Sequence, residues 1–407
     1  MTTPEPDGGR AAALRVKLAD ELEASGDLRT EPWRATIETV PREAFIPSFF
    51  ERIDTPQQTM WRPITPELVS QQARLELTYT DETWVTQLDH HTWPVDTAVP
   101  IPGEPTSSST LPGLVVRMLE ELQVEDGSRV LEIGTGTGYS SALMSARLGA
   151  ELVTSVEVDA EVAVRAKEAL AAIGFMPDLV TGDGLLGYQP GALYDRVIAT
   201  CSVRHVPKTW VNQTRPGGLI LTTMLGWLDA SSGLVRLEVT GDGTAEGAFL
   251  GGTESFMPAR PHAAPRLGDD VYTWIDEVET TERATAAGPE ILDPWDGWTS
   301  MFIAQLAVPD SQLLIYGVDG GPVIEHIIDV NQHAIAILRK LPDDSTVVRQ
   351  AGPVALWDSV EAAISEWRNA GSPPLEQFRI SVTPEAQTVW FGDPVGPLSW
   401  KLPTNTQ

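Results

Sequence analysis

The stretch Val130-Leu-Glu-Ile-Gly-Thr-Gly-Thr-Gly-Tyr139 constrains the fold of this chain more than any other. A short apolar strand runs into three glycines at alternate positions and then into a helix. Glycine has no Cβ, so the loop can turn tightly and bring its backbone against a ligand, while the helix that follows presents unbonded N–H groups. Taken alone, the loop suits a dinucleotide, another adenosine cofactor or a bare tight turn.

The surrounding text narrows the choice. From Leu111 the chain alternates helix and strand: helices at 111–123, 140–148 and 160–173, and strands at 129–133, 152–156, 179–180, 194–200 and 218–223. Strands alternating with helices of ten or more residues predict βαβ units, hence a parallel sheet covered on both faces. Glu157, 19 residues after Gly138, ends the second strand, where acidic residues of doubly wound sheets accept from ribose hydroxyls. Gly182-Asp183-Gly184 follows the third strand and sets a carboxylate where an adenine amine can reach it. Glu132 then separates two cofactors. A carboxylate beside the first glycine repels a pyrophosphate but can pair, directly or through water, with the ammonium of a methionine moiety. S-adenosylmethionine is the better reading, and a nicotinamide dehydrogenase is the competing one.

The flanks are less regular. Leu14, Leu18 and Leu22 mark a first amphipathic helix, a second covers about 31–40, and Phe45-Ile46-Pro47 forms an apolar plug. Residues 50–105, with Trp61, Trp84 and Trp93 among prolines, read as an irregular lid-like insertion. Three prolines within Phe256–Gly268 suggest a domain boundary. Beyond it, strand-like runs at 301–308, 312–318 and 334–338, a helix at 354–369 and strands near 378–382 and 387–391 predict an α+β domain that carries seven of the 13 tryptophans. The expected organisation is therefore 1–105 as N-terminal helical and lid-like segment, 106–257 as the cofactor domain and 266–407 as an appended domain serving substrate.

Composition removes several functions. With 57 Asp plus Glu against 28 Lys plus Arg and a net charge of −29 over 407 residues, the chain lacks the cations that a nucleic-acid or membrane-surface binder needs. Cys201 is the single cysteine, which excludes an intrachain disulfide and a cysteine zinc site and fits a reducing compartment. His90-His91 have no carboxylate cluster beside them, so no metal is expected. The N-terminus has no signal-like pattern, and no run is apolar enough to span a bilayer, so the expected location is the cytoplasm.

At residues 10–225 the chain resembles the protein-L-isoaspartate O-methyltransferase family. Val130–Tyr139 resembles its first cofactor motif and Gly182-Asp183-Gly184 its second; Tyr194-Asp195-Arg196-Val197-Ile198 and Arg215-Pro216-Gly217-Gly218 are similar to its later strands. Val40-Pro41-Arg42-Glu43-Ala44-Phe45-Ile46-Pro47 and Ser108-Ser109-Thr110-Leu111-Pro112 are similar to its N-terminal motifs. The resemblance implies a class I, Rossmann-like methyltransferase fold with S-adenosylmethionine held by Glu132, Gly134, Thr135, Gly136, Gly138, Glu157, Val158, Asp183, Gly184 and Thr200. It sets Thr110 where the family has a serine beside the transferred methyl, with Ser109 next to it; Arg204 and His205 are candidates to meet the substrate carboxylate.

Three departures stand out: the enlarged segment around Asp89–Trp93, the run Thr200-Cys201-Ser202-Val203-Arg204-His205-Val206-Pro207 after the fourth strand, and about 140 appended residues. Together they look like an actinobacterial branch associated with ribosomally made, ATP-grasp-cyclised or lanthionine-bearing peptides. What that branch implies is methylation of an aspartate in a modified precursor peptide, followed by aspartimide formation. Canonical isoaspartyl repair and an inactive peptide-binding accessory remain the alternatives.

Overall fold

The computed structural model describes residues 7–404 except 57, 229–231, 253, 255, 294–296 and 318–322. The chain divides into two compact units, one of residues 1–200 and 209–221 and the other of 201–208 and 222–407.

In the first unit, α1 (Asp7–Ser25) and α2 (Glu31–Thr39) come first. Residues 49–109 then fold into an antiparallel sheet of four strands, β1 (Phe49–Asp54), β2 (Thr59–Ile64), β3 (Trp84–Leu88) and β4 (Pro105–Ser109), in the order β2-β1-β3-β4, with α3 (Gln71–Thr78) between β2 and β3. The segment expected to be irregular is therefore a built sheet. Pro63 lies buried within β2, an edge strand, while Ile46, Phe49, Ile64 and Trp84 make one buried cluster and Phe50, Trp61, Val85 and Leu88 another. Trp61 also donates from its indole to Gly103 O at 2.9 Å, which ties the proline-rich end back to the sheet. Trp93 docks the remainder on a helix, its ring 3.7 Å beneath the Arg165 guanidinium carbon.

The expected alternation follows: α4 (Pro112–Glu121), β5 (Val130–Ile133), α5 (Tyr139–Leu148), β6 (Val153–Glu157), α6 (Ala160–Ala172), β7 (Asp178–Thr181), β8 (Tyr194–Val203), α7 (Lys208–Gln213) and β9 (Thr214–Met224). β5, β6, β7 and β8 run parallel in the order β8-β5-β6-β7, with β9 beyond β8. β5 and β6 are buried along their whole length, as continuous apolar strands covered on two faces should be. The chain progresses from β5 to β6 and β7 and then returns to the other side of β5 with β8. That reversal makes a crevice at the carboxyl ends of β5 and β8, the position at which doubly wound sheets bind ligands.

The second unit holds an antiparallel set with β10 (Gly233–Gly241), β11 (Thr244–Phe249), β17 (Arg379–Val382), β18 (Gln387–Trp390) and β19 (Ser399–Lys401). Its other sheet has the order β12-β16-β15-β14-β13, over β12 (Thr281–Thr285), β13 (Gln312–Gly317), β14 (Val323–Asp329), β15 (Ala334–Lys340) and β16 (Thr346–Ala351). The α+β character expected of residues 266–407 is present, but the prolines of 256–268 lie inside this unit. β8 and β9 pass from one unit to the other without interruption, so no break in composition marks the division. The run 301–308 is a helix (Trp298–Ala307) rather than a strand: Met301, Phe302, Ile303 and Ala304 are all buried, and an apolar run covered on every side carries no period that separates helix from strand. Val318 and Trp295 lie outside the described residues.

Candidate active site

The glycine loop meets its geometric requirements. Gly134, Gly136 and Gly138 have φ of +93°, +54° and +90°, in the left-handed region that side chains disfavour. A Cβ on Gly134 would stand 2.8 Å from Thr200 Oγ1, and the real Thr200 hydroxyl donates to Gly134 O and, at 3.2 Å, to Ile133 O. The loop after β8 is thereby fastened to the loop after β5. Gly184 is pressed in similarly, since a Cβ there would lie 2.4 Å from Ile133 Cγ2.

Glu157 accepts from the Gly136 amide at 2.9 Å with one oxygen and from the Asp159 amide at 3.0 Å with the other. Val158 beside it is exposed. Asp183 Oδ1 accepts from the Leu185 amide at 2.9 Å and caps a short turn of 3-10 helix. The loops after β5 and β7 are further joined to the end of β6 by backbone bonds from Gly134 N to Val156 O (2.8 Å) and from Gly182 N to Glu157 O (2.9 Å).

Glu132 differs from expectation. It is fully buried, and its carboxylate accepts from the Ser140, Ser141 and Ser155 hydroxyls, the last at 2.6 Å, while Ser155 and Thr135 hydroxyls bond at 2.6 Å. Burial raises its pKa above the carboxylate range, against the lowering by the three serines. The charge faces α5 and β6 instead of lying open beside the loop, so direct pairing with a ligand ammonium is not prepared. The Tyr-Ser-Ser start of α5 was the signal for this: hydroxyls at a helix N-terminus, one turn from a strand-end acid.

The Ser108-Ser109-Thr110 segment closes one side. A Cβ on Gly136 would lie 3.5 Å from Ser108 O, so the end of β4 runs alongside the loop. Ser109 is buried and Thr110 half-buried. Both are held by Arg42, a fully buried guanidinium to which the sequence alone assigns no role. Arg42 donates to Thr78 O (2.8 Å), Thr80 O (3.0 Å), Glu82 O (3.0 Å) and Thr110 O (3.2 Å), reaches Ser109 Oγ at 3.5 Å, and stands 5.9 Å from the centre of the Tyr139 ring. Burial lowers its pKa to about 10, which leaves it charged at neutral pH.

Arg204 and His205 belong to the second unit and are engaged there. Arg204 pairs with Asp310 Oδ1 at 2.5 Å, donates to Pro309 O at 2.7 Å and covers the Trp227 ring at 3.6 Å. A guanidinium so occupied is not a free counter-charge for a substrate carboxylate. Among the described residues no cluster of three or more His, Cys, Asp or Glu is arranged for a metal, and no helix is long and apolar enough to cross a membrane.

A reversing parallel sheet with a glycine loop after its first strand, an acid after its second and a capped carboxylate after its third defines the class I, Rossmann-like methyltransferase fold, here joined to a sheet-rich second unit. The family model for protein-L-isoaspartate(D-aspartate) O-methyltransferase (PCMT) matches residues 68–247. The chain is 38% identical over 160 residues to the protein-L-isoaspartate O-methyltransferase of Methanoculleus marisnigri, covering 39% of this chain and 70% of that one. It therefore belongs to the PCMT family. It is also 44% identical over 126 residues to protein-L-isoaspartate O-methyltransferase 1 of Archaeoglobus fulgidus (30% and 57% covered), and 38% identical over 128 residues to the Ignicoccus hospitalis protein (31% and 60% covered). The matched segment spans 57–60% of the length of these last two. A solved protein-L-isoaspartate O-methyltransferase shares the fold with a TM-score of 0.51 at 21% identity, over 93% of this chain and all of that one. The shared fold thus extends beyond the residues of the first unit.

Proposed function

We propose that this chain is an S-adenosylmethionine-dependent O-methyltransferase of an aspartyl-type carboxylate in a peptide, and that its substrate is an aspartate of a ribosomally made, cyclised peptide whose ester closes to an aspartimide. The observation that carries the reaction class is the approach of Ser108–Thr110 to the glycine loop, which brings hydroxyls to the edge of the crevice. The loop is a fit for an adenosine cofactor, because each glycine sits where a side chain is strained or blocked.

Gly134, Thr135, Gly136 and Gly138 form the cradle, Glu157 receives the ribose hydroxyls in exchange for the Gly136 amide, Asp183, Gly184 and Val158 border the adenine, and Thr200 fixes the far wall. Glu132 acts at one remove, by fastening α5 and β6 beneath the loop. S-adenosylmethionine supplies an electrophilic methyl on a sulfonium. A carboxylate acceptor is already ionised at neutral pH, its ordinary pKa being near 3.9, so this chain needs no strong general base. Thr110, half-exposed, orients the acceptor oxygen, while Ser109 and Arg42 hold Thr110. Good alignment alone is worth about 7–11 kcal/mol in model reactions. In the ester, the next main-chain nitrogen attacks the side-chain carbonyl; the C–N bond forms, methoxide leaves and takes up the nitrogen's proton as methanol. A ring in the peptide favours closure by holding nitrogen and carbonyl together.

Family membership supports the carboxyl transfer, and the Asp89–Trp93 segment docked on α6 and the 201–208 run support the constrained peptide. Mass spectrometry of a cyclised precursor incubated with S-adenosylmethionine should show gain of one methylene, then net loss of one water from the starting mass. Turnover of an isoaspartyl peptide with no change in cyclised ones assigns the chain to protein repair instead.

A further inference from the structure

Residues 89–104 leave the small sheet after β3 and rejoin it at β4 as a loop whose ends are tied together. Asp89 N donates to Glu104 O at 2.9 Å, and Glu104 N donates to Asp89 Oδ1 at 3.0 Å. Leu88 and Thr92 exchange both backbone bonds, each at 2.9 Å, around Asp89 and His90, whose φ of +50° and +65° lie in the left-handed region. Gln87 and Thr106, one on each strand, brace this turn through His90 O and His90 N, each at 3.0 Å. The returning end is fixed as well. Ile101 pairs with Trp61 of β2 by bonds of 2.7 and 3.1 Å, and Gly103 O accepts from the Trp61 indole.

The span 93–100 between these ties is held differently. Trp93 and Pro94 are buried, whereas Val95, Asp96, Ala98, Val99 and Pro100 are exposed. The bonds from Trp93 N to Asp96 Oδ2 at 2.8 Å and from Val99 N to Thr97 Oγ1 at 3.2 Å close within the span itself. Trp93 joins it to α6: the ring centre lies 3.7 Å from Arg165 Cζ, and the indole N–H reaches Glu161 Oε2 at 3.4 Å. Glu161 and Arg165 are both exposed, so water competes for each of them. A cation–π contact at an exposed site and a long hydrogen bond make a latch that is weaker than the sheet bonds on either side of it.

This latch stands beside the cofactor residues. Glu161 is in the first turn of α6, whose cap Asp159 accepts from the Glu161 and Val162 amides at 3.0 and 3.2 Å. The Asp159 amide in turn donates to Glu157, which also accepts from Gly136, and Gly136 faces Ser108 O. The small sheet thus meets the cofactor side at Ser108, against the glycine loop, and at Trp93, on α6. Glu157, the acid assigned to the ribose, is bonded between the two. The first contact belongs to a strand and the second to a span with few buried groups, so the second is the one that opens.

We propose that the span 93–100 is a strap across the ribose side of the crevice, latched by Trp93 on Arg165 and Glu161, and that the cofactor enters and leaves when Trp93 lifts from α6. The latch is made by protein groups alone, so it has the same strength with and without ligand. Weakening it therefore speeds entry and exit alike and leaves the affinity in place. The test is surface plasmon resonance of the immobilised full-length chain with S-adenosylhomocysteine. R165A alters an exposed side chain and keeps Trp93 for folding; it should raise the association and dissociation rate constants together by about three- to fivefold. W93A should raise both by about tenfold, with Kd within about twofold of the parent in each variant, and W93F, which keeps a ring under Arg165, should stay within about twofold of the parent rates. Unchanged rates in R165A and W93A overturn the strap. Faster dissociation alone, matched by an equal loss of affinity, makes the span a wall of the binding site and overturns it too. A parent chain that binds no S-adenosylhomocysteine removes the cofactor from the crevice and the strap's task with it.

Discussion

Two buried arginines, one in each unit, show how differently the halves of this protein use the same side chain. Arg42 distributes its protons over four carbonyls and reaches one hydroxyl, with no carboxylate among its hydrogen-bond partners, and thereby joins the N-terminal motif to the β4 strand end. Arg204 takes one carboxylate, one carbonyl and one aromatic face. The first guanidinium is a fastening around which a site is built. The second ties the chain after β8 to the Pro309–Asp310 segment of its own unit. The lesson is that a buried arginine bonded to backbone carbonyls organises several segments at once, while one paired with a carboxylate anchors a single loop.

The largest test of that contrast is R42M. It removes the donor from the buried Thr78 carbonyl and from the part-buried bonds to Thr80, Glu82 and Thr110, and at about 1–3 kcal/mol for a stranded buried group the variant should lose at least ~3 kcal/mol in urea unfolding. R204M, which frees a half-exposed Asp310, should lose less than half as much; equal losses break the comparison. Next, G134A sets a methyl against Thr200 Oγ1 at φ +93° and should weaken S-adenosylmethionine binding by about tenfold or more in calorimetry. An unchanged affinity contradicts the cradle.

The units also differ in the sign of their pH dependence. Glu132 is held protonated more readily in the folded chain than in the unfolded one, so its contribution is full below the ordinary carboxylate range and is lost as pH rises through its folded value. His262 has a depressed pKa of about 3, so its contribution is present above about 6.5 and is lost as pH falls toward 3. Each sets a slope of at most ~1.4 kcal/mol per pH unit. E132Q should flatten the alkaline side of the stability curve and H262N the acid side, read from urea midpoints between pH 4 and 9. The smallest expected effect is T110S, which keeps the hydroxyl and should stay within about threefold of the parent kcat, whereas T110V should fall about tenfold or more.

Much of the first unit was legible because its signals are local. β5, α5, β6 and α6 lie within one or two residues of where periodicity sets them, and Gly134, Gly136, Gly138 and Gly184 are required by backbone geometry that glycine alone satisfies. The 49–109 sheet was not legible, because its strands are short, carry Pro63 and Pro105, and gain their core from partners up to tens of residues away, such as Phe50 opposite Val85. Helix 298–307 was missed for the opposite reason, an excess of apolar residues that erases the period. In the site, the roles of Glu132 and Arg204 were misjudged because their partners, Ser155 and Asp310, lie 23 and 106 positions away. Nothing near His262 in sequence announces its bond to the Arg204 amide.

The central claim is transfer of a methyl group to a peptide carboxylate, and its signature is chemical lability. With tritiated S-adenosylmethionine and either an isoaspartyl or a cyclised aspartyl peptide, the account predicts label on the peptide that mild base releases as volatile methanol, and loss of that label in G134A. Label that resists base, or no transfer to either peptide by a chain that binds the cofactor, contradicts it.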